Sequence, residues 1–83
     1  MIHPVVLPQL TETMDEATIV SWRKKQGDPV AKKEILYEVE TDKMTIEVEA
    51  VDAGFLCQIL VEENSVASVG EKVATIADSL DEC

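Results

Sequence analysis

One primary amine stands apart from the other cations of this 83-residue chain. Arg23, Lys24, Lys25, Lys32 and Lys33 fall within eleven positions, so Lys43 is the only cation between Lys33 and Lys72. Glu38, Glu40, Asp42, Glu47 and Glu49 surround it in sequence. Two kinds of chemistry suit such a lysine. It can be a solvated turn residue pairing with Asp42 or Glu40, each pair contributing about 0 to 1 kcal/mol. It can also be an amine held out for another enzyme to acylate, the side chain becoming the tether of a prosthetic group.

The remaining reactive side chains form no such centre. His3 is the only histidine, with no Cys or acidic pair at metal-ligand spacing around it, and it reads as a solvated residue. Cys57 alternates with Phe55 and Ile59 and reads as core packing, with no histidine partner to make it a nucleophile. Cys83 ends an acidic stretch, so both cysteines are expected as free thiols in a reducing compartment. Trp22 shares a predicted strand face with Val20 and Thr18 and is assigned to packing. Glu47 and Glu49 fall on an outward strand face that keeps the surface soluble.

The elements that must position Lys43 follow from the two-residue period. Thr45 to Ala50 alternates strictly, with Ile46, Val48 and Ala50 on one face and Thr45, Glu47 and Glu49 on the other. Ile35 to Glu40 supplies its hairpin partner, leaving Thr41-Asp42-Lys43-Met44 as the turn. Further strands are predicted at Val5–Leu7, Thr18–Trp22, Phe55–Val61 and Val73–Ile76, separated by turn signals at Pro8, Gly27-Asp28-Pro29, Asp52-Ala53-Gly54, Glu63-Asn64-Ser65 and Gly70. No stretch carries a capped 3.6-residue period, so no α-helix is expected. Short strands at this spacing predict an all-β sandwich or barrel. An internal repeat reinforces this: Ala17 to Val20 aligns with Ala53 to Leu56 at an offset of 36, and Lys33 to Val39 falls on Gly70 to Ile76 after one inserted residue.

Composition bounds what such a domain can do. At 46% hydrophobic and 29% charged the chain is a folded soluble domain, and with 4% aromatics its core is aliphatic. Seventeen acidic against seven basic residues, a net charge of −10, exclude nucleic-acid phosphate and anionic membranes as main partners. The first residues lack the cationic region of a secretory signal.

Glu40-Thr41-Asp42-Lys43-Met44 resembles the lipoyl-attachment motif of the lipoyl domains in acyltransferase components of 2-oxo acid dehydrogenase complexes. Leu7-Pro8-Gln9-Leu10, Glu12-Thr13-Met14, Thr18 to Trp22, Gly27-Asp28-Pro29-Val30, Glu47 to Ala50 and Gly54 also match that family in type and order, over about Val5 to Ile76. Gly27 lies 16 residues before Lys43 and Gly54 lies 11 after it. One departure is Lys32-Lys33-Glu34, where the family often has Gly before the fourth strand.

The resemblance implies a flattened β-barrel or sandwich of two four-stranded antiparallel sheets with quasi-two-fold symmetry, the lysine at one end and both termini at the other. It divides the chain into a lipoyl domain, residues 1–77, and a tail or start of a linker, 78–83, in a fragment of a longer protein. It implies lipoic acid in amide linkage to Lys43, with Glu40, Thr41, Asp42 and Met44 read by the attaching and partner enzymes. The loop Glu12, Thr13, Met14 and Asp15 would lie beside the hairpin and aid recognition, although Met14 equally suits packing over the barrel end. Implied partners are a lipoate-attaching enzyme, a thiamin-dependent 2-oxo acid dehydrogenase, an acyltransferase core using coenzyme A, and dihydrolipoyl dehydrogenase. The isolated domain would be a monomeric, non-catalytic carrier in bacterial cytoplasm or mitochondrial matrix. Glu12-Thr13-Met14 leans towards a pyruvate or acetoin complex. Two rivals stay open: a biotin carrier, whose motif has Met on both sides of the lysine where this chain has Asp42, and an unmodified lipoyl-like interaction module.

Overall fold

The computed structural model describes residues 1–83. Eight strands run in order: β1 (Ile2–Val6), β2 (Glu16–Trp22), β3 (Pro29–Val30), β4 (Ile35–Glu40), β5 (Thr45–Glu49), β6 (Gly54–Ile59), β7 (Val66–Ser68) and β8 (Lys72–Ala77). They form two antiparallel four-stranded sheets, β1-β8-β6-β3 and β5-β4-β2-β7, packed as a sandwich that does not close into a barrel. A single 3₁₀ turn, Leu80–Glu82, follows β8 and there is no α-helix. Two strands escape the sequence pattern, β3 with two residues and β7 with three, because neither is long enough to show alternation.

The two sheets repeat one another residue by residue. Thr18↔Glu40, Ile19↔Val39, Ser21↔Glu38 and Trp22↔Tyr37 in one become Phe55↔Ala77, Leu56↔Ile76, Gln58↔Thr75 and Ile59↔Ala74 in the other, a constant shift of 37 positions. The offset of 36 is therefore one residue out for the first half of the alignment. Even the β-bulges recur: Val20 and Cys57 are the extra residues of β2 and β6. The bulge at Val20 also reverses the strand's facing. Ala17 and Ile19 are buried, but beyond the bulge it is Trp22 that packs on the core, so Trp22 does not share a face with Thr18 as strict alternation predicts.

Seventeen buried residues form one aliphatic core, with Leu7, Ile19, Leu36, Tyr37, Val39, Leu56, Val73 and Ile76 fully or almost fully enclosed. Trp22 tilts against Tyr37 at 4.8 Å between ring centroids and donates its indole N–H to the Val61 carbonyl at 2.9 Å. Gly54 has φ +152° and faces the Ala77 backbone so closely that a β-carbon would collide with its carbonyl oxygen.

The C-terminal stretch departs from the expected loose tail. Cys57 is buried but outside the core cluster, and it is disulfide-bonded to Cys83 with a Cα–Cα distance of 5.2 Å, so the cysteines are not free thiols. Alternation assigned Cys57 inward, whereas its position at the bulge leaves it available to a chain end that folds back. The α-amino group of Met1 pairs with Asp78 at 3.2 Å and with Glu82, and His3 Nε2 meets Asp78 Oδ1 at 3.0 Å. His3 is thus a paired residue, 27% exposed, rather than a freely solvated one.

Candidate functional site: the lysine turn and its cleft

The β4–β5 hairpin owes its register to the alternation of β5 against β4, and its last strand pair is Glu40↔Thr45. Four residues remain to reverse the chain. The Thr41 backbone N–H donates to the Met44 carbonyl at 2.8 Å, and the Thr41 hydroxyl donates to the same oxygen at 3.0 Å. The Met44 N–H in turn donates to Thr41 Oγ1 at 3.3 Å. Asp42 and Lys43 are left at the tip, both exposed.

Lys43 pairs with none of the carboxylates near it. The side-chain cations held in ion pairs are Arg23 with Glu38 at 2.7 Å and Glu47 at 3.7 Å, Lys24 with Glu34 at 2.7 Å, and His3 when protonated. Arg23 thus engages Glu38 and Glu47, which face each other across the hairpin, and offsets their mutual repulsion. The solvated-turn reading that paired Lys43 with Asp42 or Glu40 has no counterpart in this geometry. What remains is an unpaired, solvent-facing amine on a fixed turn.

Beside it opens a cleft of about 660 Å³ between the hairpin and the loop preceding β2. The loop contributes Thr11, Glu12, Thr13, Met14 and Asp15, and the hairpin contributes Glu40 to Met44. The structure therefore brings together all the residues singled out for attachment and recognition. Within the loop their roles differ. Met14 is 6% exposed and belongs to the core cluster, anchoring the loop, while Glu12, Thr13 and Asp15 are exposed. The loop is further tied by Gln9 Nε2 donating to the Glu12 carbonyl at 3.2 Å and by the Val69 N–H donating to the Asp15 carbonyl at 2.9 Å.

Sequence reasoning missed Glu16, Thr18 and Val66 in the cleft wall. Glu16 and Thr18 lie on β2 beside β7, and Ser68 and Val66 are their partners there. No local pattern marks Val66 as a neighbour of Lys43; only the sheet order places it there. Glu12, Asp15, Glu16, Glu40 and Asp42 surround the cleft with carboxylates, and Lys43 is its sole cation.

Fold and site together are a quasi-two-fold sandwich of two four-stranded sheets with an exposed, unpaired lysine on a tight hairpin turn. The family profile described as "Biotin-requiring enzyme", which covers biotin and lipoyl attachment domains, matches residues 3–76. The chain belongs to that family and is a lipoyl domain. It is 43% identical over 81 residues to the dihydrolipoyllysine-residue acetyltransferase component 5 of the chloroplastic pyruvate dehydrogenase complex of Arabidopsis thaliana, covering 98% of this chain and 17% of that protein. It is 47% identical over 73 residues to the mitochondrial pyruvate dehydrogenase complex protein X component of Saccharomyces cerevisiae, covering 87% of this chain and 18% of that protein. The acetyltransferase component of the pyruvate dehydrogenase complex of Rickettsia conorii is 48% identical over 61 residues, 74% of this chain and 15% of that protein. The chain thus spans less than a fifth of these relatives. Among solved structures, the lipoyl domain of the 2-oxoglutarate dehydrogenase complex of Azotobacter vinelandii superposes with a TM-score of 0.74 at 28% identity, covering 92% of this chain and 96% of that one.

Proposed function

We propose that Lys43 is the attachment point of lipoic acid and that the domain carries the resulting arm between the active sites of a 2-oxo acid dehydrogenase complex. The observation that supports this most is the exposed, unpaired Lys43 on a turn held by backbone and side-chain hydrogen bonds. Amide formation joins Nζ to the lipoate carboxyl with net loss of water and removes the lysine charge. No ion pair has to be broken for this. Bound lipoate would supply a dithiolane able to take up an acyl group together with reducing equivalents.

The protein's own contribution is placement and recognition. The sandwich fixes the direction of the arm, and a tethered carrier raises its local concentration at each active site. Once Lys43 is acylated the cleft is lined by acidic and neutral groups alone, so Glu12, Asp15, Glu40 and Asp42 present a uniformly anionic surface to the attaching enzyme and to the thiamin-dependent dehydrogenase. Thr13, Met44 and the Met14-anchored loop give that surface its shape. The acyl group would then pass to coenzyme A at an acyltransferase core, and dihydrolipoyl dehydrogenase would reoxidise the arm. Residues 1–77 form the carrier unit, monomeric and without catalysis of its own, and 78–83 are held against it by the Cys57–Cys83 disulfide and the Met1 pairs. The pyruvate dehydrogenase relatives favour a pyruvate complex, in bacterial cytoplasm or mitochondrial matrix, with the chloroplast as a third compartment that those relatives add.

Reductive acylation tests the partner assignment. The lipoylated domain is incubated with thiamin-dependent dehydrogenases for pyruvate and for 2-oxoglutarate, each with its labelled 2-oxo acid. Faster acyl transfer from pyruvate is expected; equal or faster transfer from 2-oxoglutarate overturns the pyruvate assignment.

A further inference from the structure

The quasi-two-fold axis that relates the sheets also relates the lysine turn to the chain ends. β4 corresponds to β8 at a shift of 37, and β5 corresponds to β1 at a shift of 43, since Glu40↔Thr45 matches Ala77↔Ile2 and Val39↔Ile46 matches Ile76↔His3. Thr41 therefore corresponds to Asp78, and Met44 to Met1. Their bonds correspond as well. The Thr41 N–H donates to the Met44 carbonyl at 2.8 Å, and the Asp78 N–H donates to the Met1 carbonyl at 3.2 Å. A side-chain oxygen closes each ring: Thr41 Oγ1 accepts from the Met44 nitrogen at 3.3 Å, and Asp78 Oδ2 accepts from the Met1 nitrogen at 3.2 Å.

The same two-point clasp thus closes both ends of the sandwich. At one end the chain is open between the clasped residues, and at the other only Asp42 and Lys43 bridge them. This separates the residues of the turn by role. Thr41 spends its hydroxyl inward, on both the N–H and the carbonyl of Met44, while Lys43 and Asp42 take no part in the bonding that shapes the turn.

We propose that the Thr41 hydroxyl is the positioning group of the lysine turn, a clasp that holds Lys43 in the orientation the lipoate-attaching enzyme accepts, and not a group that this enzyme touches. The inference rests on the carrier reading given above. Without the clasp, the turn is held by the Thr41–Met44 backbone bond alone and spreads over several conformations. The enzyme then meets the competent one less often, which raises the apparent KM and leaves kcat in place.

Thr41→Val keeps the branched shape and removes the hydroxyl, and Thr41→Ser keeps the hydroxyl. For each, amide hydrogen exchange at Met44 is measured by NMR, and KM and kcat are measured for lipoate attachment to the folded domain. In Thr41→Val we expect Met44 exchange to be about tenfold faster and KM to rise by about as much, the scale of losing the two exposed hydrogen bonds that this hydroxyl makes. The serine variant should stay within about twofold of wild type in both. Unchanged Met44 exchange in Thr41→Val overturns the clasp. So does raised KM with unaltered exchange, which would make Thr41 a direct contact. If the wild-type domain accepts no lipoate, the carrier reading falls and the exchange data alone decide whether the clasp exists.

Discussion

Lys33 and Gly70 occupy the same position in the two halves of the sandwich, and both have positive φ, 72° and 88°. The equivalence extends to their bonds: the Lys33 N–H donates to the Ala50 carbonyl and the Gly70 N–H to the Leu7 carbonyl, each at 2.8 Å. Gly27 and Asn64, at φ 93° and 70°, form a second such pair. The fold requires a left-handed residue at each of these sites, and one half meets the demand before β4 with a lysine. That is the physical content of the departure from the family's usual glycine.

A left-handed non-glycine residue costs roughly 1 to 2 kcal/mol, partly offset by the greater freedom glycine has in the unfolded chain. Lys33 makes no ion pair, so Lys33→Gly changes little besides the backbone. The variant is expected to be more stable by about 1 kcal/mol in urea unfolding, and Gly70→Lys less stable by a similar amount.

Tyr37 is fully enclosed and its hydroxyl has no hydrogen-bond partner. Burial pushes its pKa up to about 12 from 10.0. Below pH 10 the phenol is protonated in both folded and unfolded chains. Between 10 and 12 the unfolded chain loses the proton first, so stability falls as pH rises through this window, by an amount on the order of 2 kcal/mol. Tyr37→Phe removes both the orphaned hydroxyl and the titration. It should match or exceed wild-type stability at pH 7 and show a shallower loss between pH 10 and 12 in denaturant titrations.

The Cys57–Cys83 bridge closes a loop across 26 positions. On the chain-entropy account a loop of this size contributes about 3.5 kcal/mol, so Cys83→Ser, or wild type in dithiothreitol, should unfold at correspondingly lower denaturant. The charged groups of the same clasp add a pH signature. Hydrogen bonds from His3 and the Met1 amine hold Asp78 below the usual carboxylate range, and the Met1 amine does the same for Glu82. Glu82, with Asp78, raises the Met1 amine. The carboxylate contribution is present above the ordinary carboxyl range and lost as pH falls through the lowered values. The amine contribution is present below 8.0 and lost as pH rises through its raised value. Amide protection factors in residues 78–83, corrected for the intrinsic pH dependence of exchange, should therefore be highest between these limits and lower on either side, most visibly once the disulfide is reduced.

The parts legible from sequence were those with enough residues to show a period. Thr45 to Glu49 alternates cleanly, so the hairpin and the position of Lys43 at its tip could be read directly. β3 and β7 are too short for alternation, and the bulges at Val20 and Cys57 break it, so Trp22 packs on the core as expected but not on the face of Thr18, and Cys57 is buried as expected but in a disulfide. The cleft shows the same division. Its hairpin and loop residues carry motif signals, whereas Val66 reaches it only because β7 pairs with β2, a long-range pairing with no local trace. The disulfide joins a bulge to a chain end, and neither location is written in the spacing of two cysteines.

The central claim, that Lys43 is a lipoyl attachment site, is tested most directly by the intact mass of the folded domain after incubation with a lipoate-attaching enzyme, lipoate and ATP. Parallel reactions use a biotin ligase with biotin, and the Lys43→Arg variant. That substitution leaves the fold intact, because the side chain is exposed and makes no ion pair. The account predicts a single lipoyl increment on wild type, none on Lys43→Arg, and none from the biotin ligase. An increment that persists in Lys43→Arg, a biotin adduct in its place, or wild type left unmodified by both enzymes would contradict it.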